Sequence, residues 1–219
     1  MTGFRLLSAI CIAAATFAGP AAAQTTAAES PVLPGVYRSA GTNPDGSRYR
    51  GMAAIIAEND RLRFTWWIGP RVFSGIGKVA GRTIEVEWGE PHPAVYTVAA
   101  DGSLDGKWAN GAATDRLELF ASVAPSQVPV PDGRYRTNGQ NPNGTRYTGT
   151  VSIVEKSGQF QFDWQVGASR YSGTGKLDRN LLIVDWGNTQ PVVYALGLDG
   201  GLRGLWAGGQ GEDILTPDR

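Results

Sequence analysis

Leu62 to Gly69 reads LRFTWWIG, and 98 positions later Phe160 to Gly167 reads FQFDWQVG. Apolar residues take every second place in both: Leu62, Phe64, Trp66 and Ile68 in the first, Phe160, Phe162, Trp164 and Val166 in the second. A period of two sends alternate side chains to opposite faces of a strand, so each stretch reads as a half-buried β-strand. The opposite faces carry Arg61, Arg63, Thr65 and Trp67 in one copy and Gln159, Gln161, Asp163 and Gln165 in the other. Trp67, matched by Gln165, is thereby isolated as an outward aromatic and a candidate contact for a partner.

Sliding the chain by 98 extends the match without insertion or deletion. Tyr37 falls on Tyr135, Gly51 on Gly149, Trp88 on Trp186, Tyr96 on Tyr194 and Trp108 on Trp206, and about 33 of 86 positions from Gly35 to Phe120 are identical. The alternation recurs throughout the unit. Tyr49, Gly51, Ala53 and Ile55 share a face, as do Phe73, Gly75, Gly77 and Val79, and Ile84, Val86 and Trp88. With short strands at Gly35 to Arg38, Ala94 to Val98, Leu104 to Ala109 and Asp115 to Phe120, each repeat holds eight. Asn43-Pro44-Asp45-Gly46, Asn141-Pro142-Asn143-Gly144, Asp101-Gly102 and Asp199-Gly200 supply the tight turns of hairpins. No stretch after Ala23 shows a helical period.

Eight strands with one apolar face and no covering helix bury that face by closing on themselves. The expected fold is therefore all-β: two tandem antiparallel domains, each a small up-and-down barrel of calycin or avidin type, with a β-sandwich as the alternative. Inward glycines at 51, 75, 77 and 106, repeated at 149, 173, 175 and 204, leave room for the flat faces of Trp66, Trp88 and Trp108.

The flanking segments divide the chain. Arg5, the apolar run Leu6 to Phe17 and Ala21-Ala22-Ala23 before Gln24 form the three regions of a secretory signal, residues 1–23. A polar spacer follows at 24–33, the first repeat at 34–120, a Pro-rich linker at 121–131 and the second repeat at 132–217. The expected location is therefore periplasmic or extracellular. Cleavage removes Cys11, the only cysteine, and with it thiolate chemistry and disulfides. It also removes one of 20 basic residues, leaving 19 against 20 acidic ones. That balance gives no electrostatic basis for nucleic acid as a partner, and no integral membrane segment is expected after cleavage.

Catalytic candidates are weak. His92 lies in a Pro-His-Pro turn and is replaced by Gln190 in the second repeat, so it reads as a surface-loop residue. One histidine without cysteine makes no standard zinc site, and no metal or cofactor is expected. Glu87 and Asp185 sit on outward faces in separate domains, unsuited to a paired-carboxylate mechanism. Ser74 and Ser172 lack an evident base, and cross-strand charge pairing accounts for Lys78, Lys176, Arg48 and Arg146. The chain reads as a non-enzyme, with an envelope-associated enzyme using Glu87 or Asp185 as the last alternative.

The order Asn-Pro-Asx-Gly-x-Arg-Tyr-x-Gly, x-Trp-x-x-Gly, Ser-Gly-x-Gly-Lys, Val-x-Trp-Gly, Val-Tyr and Asp-Gly-x-Leu-x-Gly-x-Trp, ending in Gly209-Gln210-Gly211-Glu212, resembles a group of small exported bacterial β-repeat proteins, some labelled fibronectin-binding. The resemblance implies an extracellular or envelope protein partner, met through Trp67 and the hairpin tips. The alternative, from the residues themselves, is a carrier of a small apolar ligand. Trp66, Trp88, Trp108, Trp164, Trp186 and Trp206 either fill the barrels or line a cavity within them.

Overall fold

The computed structural model describes residues 32–130 and 132–218. The signal sequence, Cys11 and most of the spacer lie outside the described residues. The first repeat forms β1 (Gly35–Thr42), β2 (Arg48–Glu58), β3 (Arg61–Ile68), β4 (Arg71–Ala80), β5 (Thr83–Glu87), β6 (Ala94–Val98), β7 (Leu104–Trp108) and β8 (Ala113–Ser122). The second forms β9 (Gly133–Gln140), β10 (Arg146–Lys156), β11 (Gln159–Val166), β12 (Ser169–Asp178), β13 (Leu181–Asp185), β14 (Val192–Leu196), β15 (Leu202–Trp206) and β16 (Gly211–Pro217). Each strand pairs antiparallel with the next, and the last closes on the first, giving two eight-stranded barrels. Closure runs from Gly35↔Ser122 to Thr42↔Thr114 in the first and from Tyr135↔Pro217 to Gln140↔Glu212 in the second. The barrel expectation holds and the sandwich does not form.

The alternating residues behave as their period requires. Leu62, Phe64 and Trp66 point inward with Tyr37, Ala53, Ile55, Ile84, Val86, Tyr96, Leu104 and Leu117, and the matching set fills the second barrel. Val32 and Val130, again 98 apart, pack into their respective cores at the end where β1 and β9 begin. Each barrel therefore has a plugged end and, opposite it, a mouth formed by the turns after its first, third, fifth and seventh strands. Gly46 and Gly144 adopt φ of 84° and 85° at the first of these turns, a conformation that costs glycine nothing.

The small-residue positions do not all do what the sequence suggests. A Cβ at Gly106 would lie 2.4 Å from the Tyr96 ring, and one at Gly204 2.4 Å from the Tyr194 ring. The ring lying on Gly106 is thus a tyrosine, not Trp108. Gly106→Ala should lower stability by about 2 kcal/mol, because the tyrosine cannot retreat through a packed core. A urea melt checks it, with Gly46→Ala, which meets no atom but strains a positive φ, as the comparison. The pairing expected for Lys78, Lys176, Arg48 and Arg146 goes no further than register: Lys78 stands opposite Glu85 across β4 and β5. None of the four makes an ion pair among the described residues, and all are exposed, where such pairs contribute little.

A third apolar cluster joins the barrels. Val36, Met52, Ala54, Ile56 and Trp67 on the outside of β1 to β3 pack with Leu181, Val193, Ala195 and Leu205 on the outside of β13 to β15. The repeat comparison explains the arrangement. Positions equivalent to the first group in the second barrel are Arg134, Thr150, Ser152, Val154 and Gln165; those equivalent to the second group in the first barrel are Thr83, Val95, Thr97 and Lys107. Each barrel is therefore apolar on a different outer face. The contact is heterologous, and the polar faces left over stop it from propagating. Val95 and Val154, the uncovered equivalents of buried Val193 and Ile56, stay 39% and 40% exposed.

Trp67 is thus not a free partner surface. It points outward as the alternation requires, but the second barrel covers it and leaves it 5% exposed. Polar contacts edge the cluster: Arg38 with Glu212 at 2.5 Å, Arg63 with Asp178 at 2.6 Å, and Gln190 Nε2 donating to the Gly69 carbonyl at 2.6 Å. The linker is held as well. Asn180, 4% exposed, donates to the carbonyls of Ala124 and Ser126 and accepts from the Val128 amide.

Candidate functional site

Inside the first barrel β3 contributes Phe64 and Trp66 to one face, two residues apart, and β6 brings Tyr96 beside them. The three rings stack with centroids 5.2 to 6.5 Å apart and interplanar angles of 16° to 22°. At the edge of this stack β8 turns Asp115 inward, since it shares the parity of core Leu117. A carboxylate 4% exposed needs donors, and it has them. Ser39 Oγ donates to Oδ1 at 2.8 Å and the Tyr96 hydroxyl to Oδ2 at 2.8 Å. Tyr49 and the Trp66 indole also approach the carboxylate and lower its pKa. The Trp66 N–H closes no hydrogen bond and is the buried side-chain polar atom without one among the described residues.

Burial outweighs the two hydroxyl donors and their neutral neighbours, so the Asp115 pKa lies above the ordinary carboxylate value. Desolvation, reinforced by Asp115, pushes the Tyr96 phenol well above its ordinary value, which keeps it a donor. The second barrel repeats the network at Asp213 with Thr137, Tyr194, Tyr147 and Trp164, and its carboxyl is raised for the same reason. Two barrels with different surroundings share it, so it belongs first to the scaffold.

What lies above the network differs. In the first barrel a cavity of about 500 Å³ opens at the mouth, reaching down to Trp66, Tyr96 and Asp115. Trp88 and Trp108, edge to face at 5.7 Å, stand on its wall with Phe73, Tyr49 and Ile68. The Trp88 indole is fixed by donating to the His92 carbonyl at 3.2 Å. Arg71, Glu90 and His92, all exposed, form the rim. In the second barrel the rim positions are Ser169, Asn188 and Gln190, all uncharged, and Ala94 on the cavity wall becomes Val192. There Trp186 and Trp206 border a groove of about 580 Å³ shared with Arg50, Gly69 and Pro70 of the first barrel, whose lining includes neither Trp164 nor Asp213.

The six tryptophans singled out in the sequence therefore divide. Trp66, Trp88 and Trp108 line one cavity, Trp186 and Trp206 the groove, and Trp164 lies buried in the second core. Glu87, Asp185, Ser74 and Ser172 are exposed on outward faces. His92 is exposed, as a loop residue should be, but its loop is the lip of the cavity. Asp115 and Asp213 are not among the residues that the sequence singles out, although a matched acid on an inward face is the available signal. Among the described residues no group of three His, Cys, Asp or Glu side chains is placed to hold a metal.

No protein-family model and no curated protein matches this sequence. Among solved structures, a protein of unknown function from the DUF3598 family of Nostoc punctiforme PCC 73102 is 11% identical with a TM-score of 0.29, covering 83% of this chain and 94% of its own. A "putative outer membrane protein" of Bacteroides fragilis NCTC 9343 is 12% identical with a TM-score of 0.26, covering 84% and 96%. Neither likeness bears on what this chain binds.

Proposed function

We propose that this chain is an exported, non-enzymatic binding protein for a small molecule, held in the mouth of the first barrel. The observation that carries the reading is the aromatic cavity of about 500 Å³ in one barrel, within the range of ligand sites. Export rests on the leader read at residues 1–23. The second barrel, with its neutral rim and docked outer face, serves as a support that orients and stabilises the first. Charged residues such as Arg61, Glu85, Glu87 and Lys107 cover the outer faces while apolar side chains fill the interiors, the reverse of a membrane-spanning barrel. The alternative of a protein partner loses Trp67 and keeps only the hairpin tips.

The second repeat supplies the test. Ala94→Val places in the first barrel the residue the second already carries at that position, filling the cavity wall without a foreign shape. Tryptophan fluorescence against a panel of small aromatic and aliphatic compounds should show binding to the wild type and at least about tenfold weaker binding to the variant, with melting temperatures within a few degrees. Equal binding by both proteins places the ligand elsewhere. Silence of the wild type across the panel removes the reading.

A further inference from the structure

Asp115 is a buried carboxylate facing a cavity lined largely by aromatic and aliphatic side chains. Its charge is met by neutral groups alone: the Ser39 and Tyr96 hydroxyls donate to it, and Tyr49 and the Trp66 indole lie close by. Two of its four lone-pair positions are taken by the Ser39 and Tyr96 hydroxyls. Aromatic faces are the negative ends of ring quadrupoles, and Trp66, Trp88, Trp108 and Tyr49 line the cavity as rings against which a cation can stack. Glu90 on the rim extends it toward solvent. Arg71 is the one positive side chain bordering the cavity, and it is exposed, where salt screens it.

We infer that the cavity of the first barrel takes an organic cation, a substituted ammonium carrying an apolar or aromatic body, with Asp115 as its counter-charge and the tryptophans as its cage. This rests on the small-molecule reading above and narrows it to one chemistry. The second barrel keeps Asp213 and its aromatics, but the matching rim position is Asn188 and the groove at its mouth does not include the carboxylate among its lining. A single barrel therefore carries the function, and the duplicated network has a second, purely structural use.

Calorimetric titration of the full chain with phenyltrimethylammonium and its neutral isostere tert-butylbenzene separates charge from shape, and benzoate tests the opposite sign. Phenyltrimethylammonium should bind about tenfold tighter than tert-butylbenzene, a preference of the size cation–π and carboxylate contacts give. Asp115→Asn should abolish the preference while Asp213→Asn, the same change in the second barrel, leaves it intact. Should Asp115→Asn fold poorly, Glu90→Gln alters an exposed rim residue with no hydrogen bond or ion pair among the described residues, and should weaken the charged probe about two- to threefold and not the neutral one. Equal or tighter binding of tert-butylbenzene overturns the cation assignment and leaves the cavity reading standing. Tighter binding of benzoate overturns it in favour of an anion held at Arg71. No binding of any probe to the wild type overturns both.

Discussion

Trp67→Ala should destabilise the protein by about 3 to 5 kcal/mol, the range for truncating a buried tryptophan, and lower the melting temperature by roughly 10 °C in a chain of this size. The side chain is 5% exposed and its neighbours Met52, Val193 and Leu205 are 0% exposed, so the cavity left behind has no flexible surface to close it. The loss falls on the docking of the barrels more than on either core, because Trp67 belongs to neither. Gln165→Ala, at the equivalent position on the uncovered face, should change stability by less than about 0.5 kcal/mol. A melting temperature unchanged by Trp67→Ala would mean that the barrels do not meet through these faces.

The second large effect concerns the buried carboxylates. Asp115→Ala strands the Ser39 and Tyr96 hydroxyls, and Asp213→Ala strands those of Thr137 and Tyr194. Each substitution should cost about 3 kcal/mol, since every orphaned buried donor loses roughly 1 to 3 kcal/mol. The wild-type acids also leave a mark on pH dependence. Both carboxyls are raised by burial, so the native state holds their protons more tightly than the unfolded chain does. Their contribution to stability therefore rises as pH falls through the raised value, and is complete below the ordinary carboxylate value near 4. The lowered Asp199, bonded to Arg203 and the Gly201 amide, acts in the opposite sense only as pH falls below that ordinary value. Denaturant melts from pH 7 to pH 4 should show a rise in the wild type that is flattened when Asp115 and Asp213 are both asparagine. An identical slope in the two proteins would contradict the burial of these charges.

The scaffold was legible because it lies in what the repeats share. Matched glycines, the Asn-Pro-Asx-Gly turns and the alternation around Trp66 and Trp164 all act through backbone geometry and core packing, which both copies need. The docking face and the cavity lie in what the repeats do not share, and agreement between copies hides them. Trp67 against Gln165 was visible as a difference, but a single strand does not reveal that Met52, Ala54 and Ile56 on the neighbouring strand are apolar on the same outer side. Register supplies that: Met52 is paired with Trp67 and Ala54 with Thr65 across β2 and β3. Nor does one sequence show that Leu181, Val193, Ala195 and Leu205 form the complementary patch 100 residues and more away. Asp115 escaped for another reason. Acidic residues in strands usually face water, and only the closed register, which sets Ser39 opposite Leu117 and Tyr96 opposite Gly106, brings two hydroxyl donors to an inward acid. The rim is clearest of all in retrospect: Arg71, Glu90 and His92 against Ser169, Asn188 and Gln190 is a change from charged to neutral at one end of one barrel.

The cavity is the point on which this account of function turns, and native mass spectrometry of the chain purified from its own host tests it most directly, with Ala94→Val prepared in parallel. Added mass is expected on the native wild-type protein, lost on denaturation and absent from the variant. A bare mass in both would leave the cavity unfilled in the host, and the same added mass in both would place the bound molecule outside the first barrel; either result would contradict that expectation.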